Sequence, residues 1–296
     1  MERIKQALEL ARQERSSSGT DSNIKLSAQT RSESVADQDI QYTKSKLEKL
    51  QVNELREKRI IVDQQGVVND AYKLLRTQIL QRLDENNWNT LALTSPNTNA
   101  GKTLTAINLA ISLAREVNYT VLLVDANLRS PRVHNYFGFT TEYGLSDYLE
   151  KDVPLSDILV HPEGIPRFVI LPAGNAILNS SEMLSSPKMK RLVEELKTRY
   201  PSRIVLFDMP ALLEGSDTLA FLPNTDASLI VIEDGKTSAQ DLRQAFDLLA
   251  SNHVIGTVLN KAYTRDRVYG NLDVKPGFFS RLLNKLSKKA LPDWIS

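Results

Sequence analysis

The sequence predicts an α/β fold in which a parallel β-sheet carries helices on both faces. Six short runs are apolar and rich in Val, Ile and Leu, as is typical of strands that are buried on both sides. They occupy residues 90–95, 121–126, 167–174, 203–210, 227–233 and 254–260. Helical patterns lie between them, for example at residues 102–116, 187–199 and 239–251. Because strands and helices alternate along a chain of 296 residues that is 41% hydrophobic, we expect one large domain with a sizeable core.

The residues before this domain are more polar. Ile4, Leu8 and Ala11 share one stripe of a short amphipathic helix at residues 1–15. Residues 16–42 contain almost no large apolar side chains, which predicts a flexible linker. For residues 43–59, a polar helix and a solvated segment of little structure are both open. The predicted organisation is therefore an N-terminal helix and linker at residues 1–59, the folded domain at 60–265 and a C-terminal tail at 266–296.

Composition argues against several classes of function. The formal net charge is +1, from 37 basic and 36 acidic residues, so we expect no nucleic-acid partner. The chain has no cysteine, which removes disulfides, thiolate zinc sites, iron–sulfur clusters and cysteine nucleophiles. His134, His161 and His253 are far apart in the sequence, which predicts structural roles rather than a metal site. No apolar run reaches about 18 residues, the length of a membrane span, so a cytoplasmic location is expected.

One stretch predicts a phosphate-binding site. SPNTNAGKT, residues 95–103, follows the first apolar run and precedes a helical pattern that begins near Lys102. In a parallel α/β sheet, ligands bind at this end of the strands, where backbone N–H groups and a helix N-terminus favour an anion. Lys102 would add its ammonium group, and Thr103 a hydroxyl for Mg²⁺. The order strand, turn, Gly-Lys-Thr and helix favours a nucleotide site over a chance tripeptide, although Pro96 stands where the strict pattern has glycine.

Two carboxylates end other predicted strands. Asp125 ends the run VLLVD, and Asp208 ends the run RIVLFD. A buried strand that ends in a carboxylate beside a phosphate loop holds Mg²⁺, directly or through water. For either aspartate the alternative is a helix cap or an ordinary loop residue. The order of the loop and the two strands along the chain favours a metal-binding role for both aspartates.

Several motifs together resemble those of one protein family. The chain has SPNTNAGKT in the place of a Walker A motif, VLLVDANLRSP in that of a Walker A′ motif, and VLFDMP, followed by Asp217, in that of a Walker B region. FGFTTEYGLSDYL, VILPAGN, SSEMLSSPKM and VIEDGKT are similar to the family's connecting segments. With these motifs, residues 64–261 resemble the bacterial tyrosine kinases, the cytoplasmic autokinases of capsule and exopolysaccharide systems. The start, MERIKQALELAR, is similar to that of autokinases linked to exosortase-type exopolysaccharide clusters.

The resemblance implies a parallel-sheet P-loop NTPase fold of the MinD/ParA-like deviant Walker type, with ATP and Mg²⁺ as cofactors. It implies that Lys102 neutralises the β- and γ-phosphates, that Thr103 and Asp208 hold Mg²⁺, and that Asp125 aligns the metal or accepts the tyrosine proton. Lys102, Asp125 and Asp208 are thus the candidate catalytic residues. Asn260 matches an asparagine that contacts adenine in these ATPases, and a strand-terminating turn residue is the alternative. The other nucleotide contacts are expected from the loop, at Thr98, Asn99, Ala100, Gly101, Lys102, Thr103 and Leu104.

The loop itself departs from the family pattern. Asn97 stands where MinD and ParA proteins carry a signature lysine, which favours the kinase branch. Thr98, Asn99 and Ala100 replace a more glycine-rich form. Asparagine is among the few residues that often adopt a positive φ, so we expect Asn99 to keep the turn and the loop to bind nucleotide.

Two further departures concern catalysis. Asn127 stands where many relatives have a second aspartate, which removes one charge near the metal. The family usually ends in a cluster of tyrosines that is phosphorylated in trans. After Asn260 this chain has only Tyr263 and Tyr269, so autophosphorylation would have few acceptors.

Two segments predict interactions. DAYKLLRTQI resembles the segment that joins family subunits in a ring, and its charged residues Asp70, Lys73 and Arg76 imply a homo-oligomer. At residues 276–296 a basic amphipathic helix is predicted, which either lies on an anionic membrane surface or docks on the protein itself. The membrane interpretation places the protein peripherally at the inner membrane, beside a polysaccharide co-polymerase partner (Wzz-like). The helical pattern consists of apolar Phe278, Phe279, Leu282, Leu283, Leu286 and Ala290 with basic Arg281, Lys285, Lys288 and Lys289.

Three functions fit these observations. The first is an ATP- and Mg²⁺-dependent, non-specific protein-tyrosine autokinase that regulates exopolysaccharide or capsule chain length or export. The second is a MinD-like regulatory ATPase whose bound nucleotide governs membrane or partner association without protein phosphorylation. The third is a nucleotide-free scaffold, if the altered loop has lost binding. Asn97 and the family-like segments favour the first function, whereas the missing tyrosine cluster and the basic tail favour the second.

Overall fold

A β-sheet forms the centre of the part of the chain that the computed structural model describes, residues 45–62, 65–200 and 202–262. Within these ranges its strands are β1 (Lys46–Glu48), β2 (Thr90–Thr94), β3 (Thr120–Asp125), β4 (Val160–Pro162), β5 (Phe168–Leu171), β6 (Arg203–Asp208), β7 (Ala227–Glu233) and β8 (Val254–Asn260). Their spatial order is β1-β4-β5-β3-β6-β2-β7-β8. This order brings β2, which precedes the phosphate loop, between β6 and β7.

The predicted parallel sheet is confirmed, with one antiparallel pairing. The six predicted strands are β2, β3 and β5 to β8, and every pairing among them is parallel. The sequence analysis missed β1 and β4, two strands of three residues each. β4 pairs antiparallel with β5 at Val160 and Ile170 and parallel with β1. Their sequences, KLE and VHP, lack the apolar run that identified the others.

Helices lie on both sides of the sheet. Those of the described residues are α1 (Val52–Glu57), α2 (Val67–Asn86), α3 (Lys102–Ala114), α4 (Val133–Phe137), α5 (Leu145–Lys151), α6 (Leu155–Ile158), α7 (Ser180–Ser185), α8 (Pro187–Thr198), α9 (Asp217–Phe221) and α10 (Ala239–Leu248). Three of these helices, α3, α8 and α10, were predicted with residue bounds. Each begins at the predicted residue and ends one to three residues before the predicted end. Short 3₁₀ turns follow β6 at Leu212–Glu214 and precede β7 at Leu222–Asn224.

Capping explains where two of these helices begin. The side chain of Ser186 accepts a hydrogen bond from the N–H of Met189, and Pro187 occupies the first turn of α8. The side chain of Ser238 accepts one from the N–H of Asp241 in the first turn of α10. Each cap satisfies a backbone donor that has no partner within the helix.

Residues 45–59 form more structure than the sequence indicated. Where the sequence allows one polar helix from Thr43, the described chain forms strand β1 and then helix α1. β1 pairs with β4 at the edge of the sheet, and Leu55 of α1 is only 2% exposed within the core. The sheet and its core therefore include residues that precede residue 60, the predicted start of the folded domain.

The core has two parts, one on each face of the sheet. One contains Ile79 and Leu83 of α2 with Ile107 of α3, and the other contains Phe207 and Phe221, whose rings lie 4.8 Å apart. Strands β2 and β7 are buried along their whole length, as expected for strands covered on both sides. The sheet is thus a rigid base for the loops at its carboxyl edge.

Several predictions concern residues outside the described ranges. They are the N-terminal helix at 1–15, the linker at 16–42, the tail at 266–296 and the tyrosines Tyr263 and Tyr269. Within the described ranges, no helix has the length and apolar character needed to cross a membrane.

Candidate functional site

The phosphate loop lies between β2 and α3 and contains two residues in the left-handed region. Asn99 has φ 62° and Gly101 has φ 90°. The positive φ expected of Asn99 is therefore observed, so asparagine takes the conformation that a glycine would supply. Gly101 also needs to lack a side chain, because a Cβ there would lie 2.2 Å from Nδ2 of Asn260.

The carbonyl groups of the loop are bound by donors of the protein itself. The bonds are Ser95 Oγ to the Asn97 carbonyl (2.6 Å), Lys261 Nζ to that of Asn99 (2.7 Å), Asn260 Nδ2 to that of Ala100 (2.8 Å) and Thr105 N to that of Gly101 (2.9 Å). Because these four carbonyl oxygens are engaged, the loop can offer N–H groups to an anion, although that of Thr98 donates to Glu214. The loop is thus arranged as a phosphate cradle despite its few glycines.

Lys102 and Thr103 form the first turn of α3. Their exposed fractions are only 8% and 7%. Both line a cleft of about 1290 Å³, which is also lined by Asn127, Arg129 and Arg132 of the segment after β3. Three cationic side chains and a helix N-terminus therefore meet at one cleft, which suits a polyphosphate.

Asp125 and Asp208 end neighbouring strands and lie opposite each other in the β3–β6 register. Their exposed fractions are 0% and 1%. Asp125 accepts backbone N–H bonds from Asn127 at 3.2 Å and from Arg132 and Val133 at 3.0 Å. Among the described residues, no backbone N–H group donates to Asp208, and the nearby hydroxyl of Thr103 lowers its pKa. The two aspartates therefore differ, because one is fully engaged by the backbone and the other is not.

Burial raises the pKa of both carboxyl groups above the ordinary value of aspartate. The charge of Asp208 raises the pKa of Asp125 further, whereas the three backbone N–H groups lower it. Among the groups that lower the pKa of Asp208, the positive charge of Lys102 has the largest effect. A buried carboxylate beside a threonine hydroxyl fits Mg²⁺, which prefers oxygen ligands and takes the rest of its shell from phosphate and water.

Asn260 is placed at the loop by the end of β8. Its Nδ2 donates to the carbonyl of Ala100 at 2.8 Å, and its own carbonyl accepts from the N–H of Asp234 at 3.0 Å. Asn260 is therefore more than a turn residue at the end of a strand, because its side chain also binds the phosphate loop. Its contact with adenine stays a prediction.

Known proteins are similar to this chain across the whole of this site. Residues 91–271 match the family model described as the CobQ/CobB/MinD/ParA nucleotide binding domain. Over 216 residues, the chain is 30% identical to Tyrosine-protein kinase YwqD of Bacillus subtilis (strain 168), which covers 72% of this chain and 90% of that protein. The chain belongs to the bacterial tyrosine kinase family.

Other bacterial tyrosine kinases are similar over the same region. Tyrosine-protein kinase ptk of Acinetobacter johnsonii is 26% identical over 224 residues, which cover 73% of this chain but 30% of that protein. The kinase domain of Escherichia coli tyrosine kinase ETK superposes with a TM-score of 0.60 at 28% identity, covering 68% of this chain and 80% of that one. This chain thus spans nearly all of one relative and under a third of another.

Asn97, near the start of the phosphate loop of this bacterial tyrosine kinase, forms a hydrogen bond within its own chain. Asn97, where a signature lysine would distinguish MinD and ParA proteins, donates from Nδ2 to Asp241 of α10 at 2.9 Å. The next residue, Thr98, donates its N–H to Glu214 at 3.2 Å. Sequence analysis identified neither Asp241 nor Glu214, because each is a polar residue of an exposed turn or helix start with no motif around it.

The Walker A′ segment is held by a buried carboxylate. Asp217, 1% exposed, accepts from Nε of Arg129 at 3.1 Å and from the hydroxyl of Ser180 at 2.5 Å. Asn127 stabilises the turn before Arg129, because its Oδ1 accepts the N–H of Ser130 at 3.3 Å. The neutral side chain at position 127 therefore has a structural contact of its own.

The three charged residues predicted at the subunit contact differ in their contacts and exposure. Asp70 and Lys73 form an ion pair at 3.1 Å on the surface of α2. Arg76 instead contacts Glu116 at 2.6 Å and the carbonyl of Ser112 at 3.0 Å within the same chain, and its side chain is 16% exposed. In this conformation Arg76 joins α2 to α3, while Asp70 and Lys73 lie where a second subunit can reach them.

Proposed function

We propose that this bacterial tyrosine kinase is an ATP- and Mg²⁺-dependent protein-tyrosine autokinase that regulates exopolysaccharide or capsule chain length or export. The observation that carries the proposal is that Lys102 and Thr103, at the end of the phosphate loop, lie beside the buried carboxylate of Asp208. The names of the similar proteins favour a kinase over a regulatory ATPase.

The residues of the loop serve binding and charge neutralisation. When bound, ATP supplies the γ-phosphoryl group, which passes to a tyrosine oxygen with release of ADP, and Mg²⁺ neutralises phosphate charge. Lys102 adds its ammonium at the N-terminus of α3, where the helix dipole already favours an anion. Thr103 offers a hydroxyl and Asp208 a carboxylate to the metal. Phosphoryl transfer depends mainly on such positioning and neutralisation, so this small set is sufficient.

Asp125 has a separate role in the proposal. Its three backbone hydrogen bonds fix the chain that follows β3, and its charge beside Asp208 helps to align the metal. A carboxyl group whose pKa is raised by burial and by Asp208 also holds a proton more readily than an ordinary aspartate. Asp125 is therefore our candidate to accept the tyrosine proton.

The proposed acceptors are Tyr263 and Tyr269, which lie outside the described residues. Incubation of the full chain with γ-labelled ATP and Mg²⁺, followed by mass spectrometry, tests the proposal. We expect label on tyrosine, and we expect the double substitution Tyr263→Phe/Tyr269→Phe to remove most of it. ATP hydrolysis without any labelled tyrosine would reject the kinase and favour the regulatory ATPase. Label that persists in the double variant would reject these acceptors but not the kinase.

We propose a peripheral location at the inner membrane, next to a polysaccharide co-polymerase, for the working protein. The support is the basic and apolar pattern of residues 276–296, which lie outside the described ranges. Self-association is proposed through the face of α2 that carries Asp70 and Lys73.

Sedimentation with vesicles tests the membrane proposal. The full chain is expected to bind vesicles that contain phosphatidylglycerol but not vesicles of phosphatidylcholine alone, because anionic lipid attracts the basic residues. Deletion of residues 276–296 is expected to remove this binding. Equal binding by the full and shortened chains would contradict the proposal.

A further inference from the structure

Lys261 contacts the phosphate loop from the end of β8. Its Nζ donates to the carbonyl oxygen of Asn99 at 2.7 Å and forms an ion pair with Oε1 of Glu233 at 3.2 Å. Glu233 ends β7, has 8% of its side chain exposed and lies opposite Asn260 in the β7–β8 register. One ammonium group thus joins the ends of two strands to the loop.

Asn99 is the position of the loop that most needs such support. Its φ of 62° is one that asparagine tolerates better than most residues, but other backbone conformations compete with it, so a contact that holds the turn stabilises it. Its carbonyl oxygen must also point away from a bound phosphate, because the two groups are both negative and repel each other. A donor on that oxygen satisfies both requirements.

Lys261 acts together with the residue before it. Asn260 holds the carbonyl of Ala100, and Lys261 holds that of Asn99, so two consecutive side chains bind two consecutive carbonyls of the loop. Lys261 itself has φ 58°, which shows that the chain turns sharply where it leaves β8. This turn sets the two side chains against the loop.

We propose that Lys261 is a positioning residue that binds the Asn99 carbonyl and so keeps this glycine-poor loop in its anion-binding conformation. Glu233 anchors the lysine. The hydrogen bonds of Lys236 and Lys261 lower the pKa of Glu233, so the carboxylate stays charged at neutral pH. The inference rests on the proposed nucleotide site, but the conformation of the loop can be measured without nucleotide.

Lys236 provides a matched control. Its Nζ contacts the same Oε1 of Glu233 at 2.9 Å, and its side chain is 75% exposed. Among the hydrogen bonds of the described residues, none joins Lys236 to the loop. Lys261→Met and Lys236→Met therefore each remove one positive charge that contacts the carboxylate of Glu233. Only Lys261→Met also removes the hydrogen-bond donor to the Asn99 carbonyl.

Hydrogen–deuterium exchange of the nucleotide-free full chain tests the loop directly. In Lys261→Met, the amides of residues 97–101 are expected to exchange on the order of tenfold faster than in the wild type, because a charge-assisted bond that limits local opening is lost. Lys236→Met should exchange like the wild type. Unchanged exchange in Lys261→Met, or equal acceleration in both variants, overturns the proposal.

Binding of a fluorescent ADP analogue with Mg²⁺ provides the second measurement. Lys261→Met is expected to bind about tenfold more weakly, and Lys261→Arg, which keeps a charged donor, should recover most of the affinity. Faster exchange with unchanged affinity, or equal losses in the Met and Arg variants, overturns the role of the lysine in binding. If the wild type binds no nucleotide, the proposed function fails, and the exchange experiment still decides whether Lys261 holds the loop.

Discussion

Lys102→Met is expected to lower the rate of tyrosine phosphorylation by about 10²–10³-fold, the effect of removing one preorganised group that stabilises transition-state charge. Lys102 is 8% exposed at the start of α3, and its charge also opposes the raised pKa of Asp208. Methionine keeps the length and the apolar part of the side chain, so the change isolates the ammonium group. The rate is measured as phosphotyrosine formed per chain at saturating ATP and Mg²⁺.

Lys236→Met is the control for this experiment, because it removes the same charge from an exposed side chain. It should phosphorylate tyrosine at close to the wild-type rate. A Lys102→Met protein that retains more than a tenth of the wild-type rate would contradict the assignment of Lys102 to the phosphates.

Asp208→Asn is expected to abolish Mg²⁺-dependent phosphorylation and, at the same time, to stabilise the nucleotide-free protein. The wild type buries the carboxyl group of Asp208, and this burial raises its pKa to about 6. Each unit by which folding raises a carboxyl pKa corresponds to about 1.4 kcal/mol lost by the charged form. Since asparagine carries no charge, the free energy of unfolding should rise by an amount of this order at pH 8, measured by thermal unfolding without nucleotide.

The pH dependence of this stabilisation follows from the raised pKa of Asp208. The folded protein binds the proton more tightly than the unfolded chain, whose aspartate has a pKa of about 3.9. The wild type therefore loses stability as pH rises from that value through the raised pKa of the folded state. The advantage of Asp208→Asn should be small at pH 4 and largest above pH 7. A variant that is less stable than the wild type at pH 8 would contradict the raised pKa of Asp208.

Asp125→Asn is the matched comparison, because it changes the neighbouring buried carboxylate in the same way. Both oxygens of Asp125 accept backbone N–H bonds, so this substitution removes an acceptor that the chain after β3 uses. We expect it to raise the thermal stability at pH 8 by less than Asp208→Asn does, because the gain from removing a buried charge, whose pKa is raised to about 7, is offset by the loss of backbone hydrogen bonds at one oxygen. Equal changes in thermal stability in the two variants would contradict the difference in backbone hydrogen bonding between Asp125 and Asp208.

The sequence predicts the sheet and the centre of the site for physical reasons. Strands such as β2 and β7 are buried on both sides and must therefore be apolar along their length. Parallel strands end at one edge, so a Gly-Lys-Thr turn after β2 and a carboxylate after β6 have to meet there. Lys102, Thr103 and Asp208 could be identified for this reason.

The contacts that stabilise the loop could not be predicted in the same way. Lys261, Glu214 and Asp241 contact loop residues that lie 162, 116 and 144 positions away in the sequence. Single polar side chains at turns have no periodicity that reveals their partners. The strand at Lys46–Glu48 was missed because its stability comes from pairing with β4 rather than from its own side chains.

In our proposal, a phosphate loop with asparagine in the place of glycine is a working Mg²⁺-nucleotide site. Isothermal titration of the full chain with ADP, with and without Mg²⁺, tests it most directly. The structure predicts binding of one nucleotide per chain that is tighter with Mg²⁺, with the Mg²⁺ effect lost in Asp208→Asn. No binding under either condition would contradict the claim and would leave the chain as a nucleotide-free scaffold.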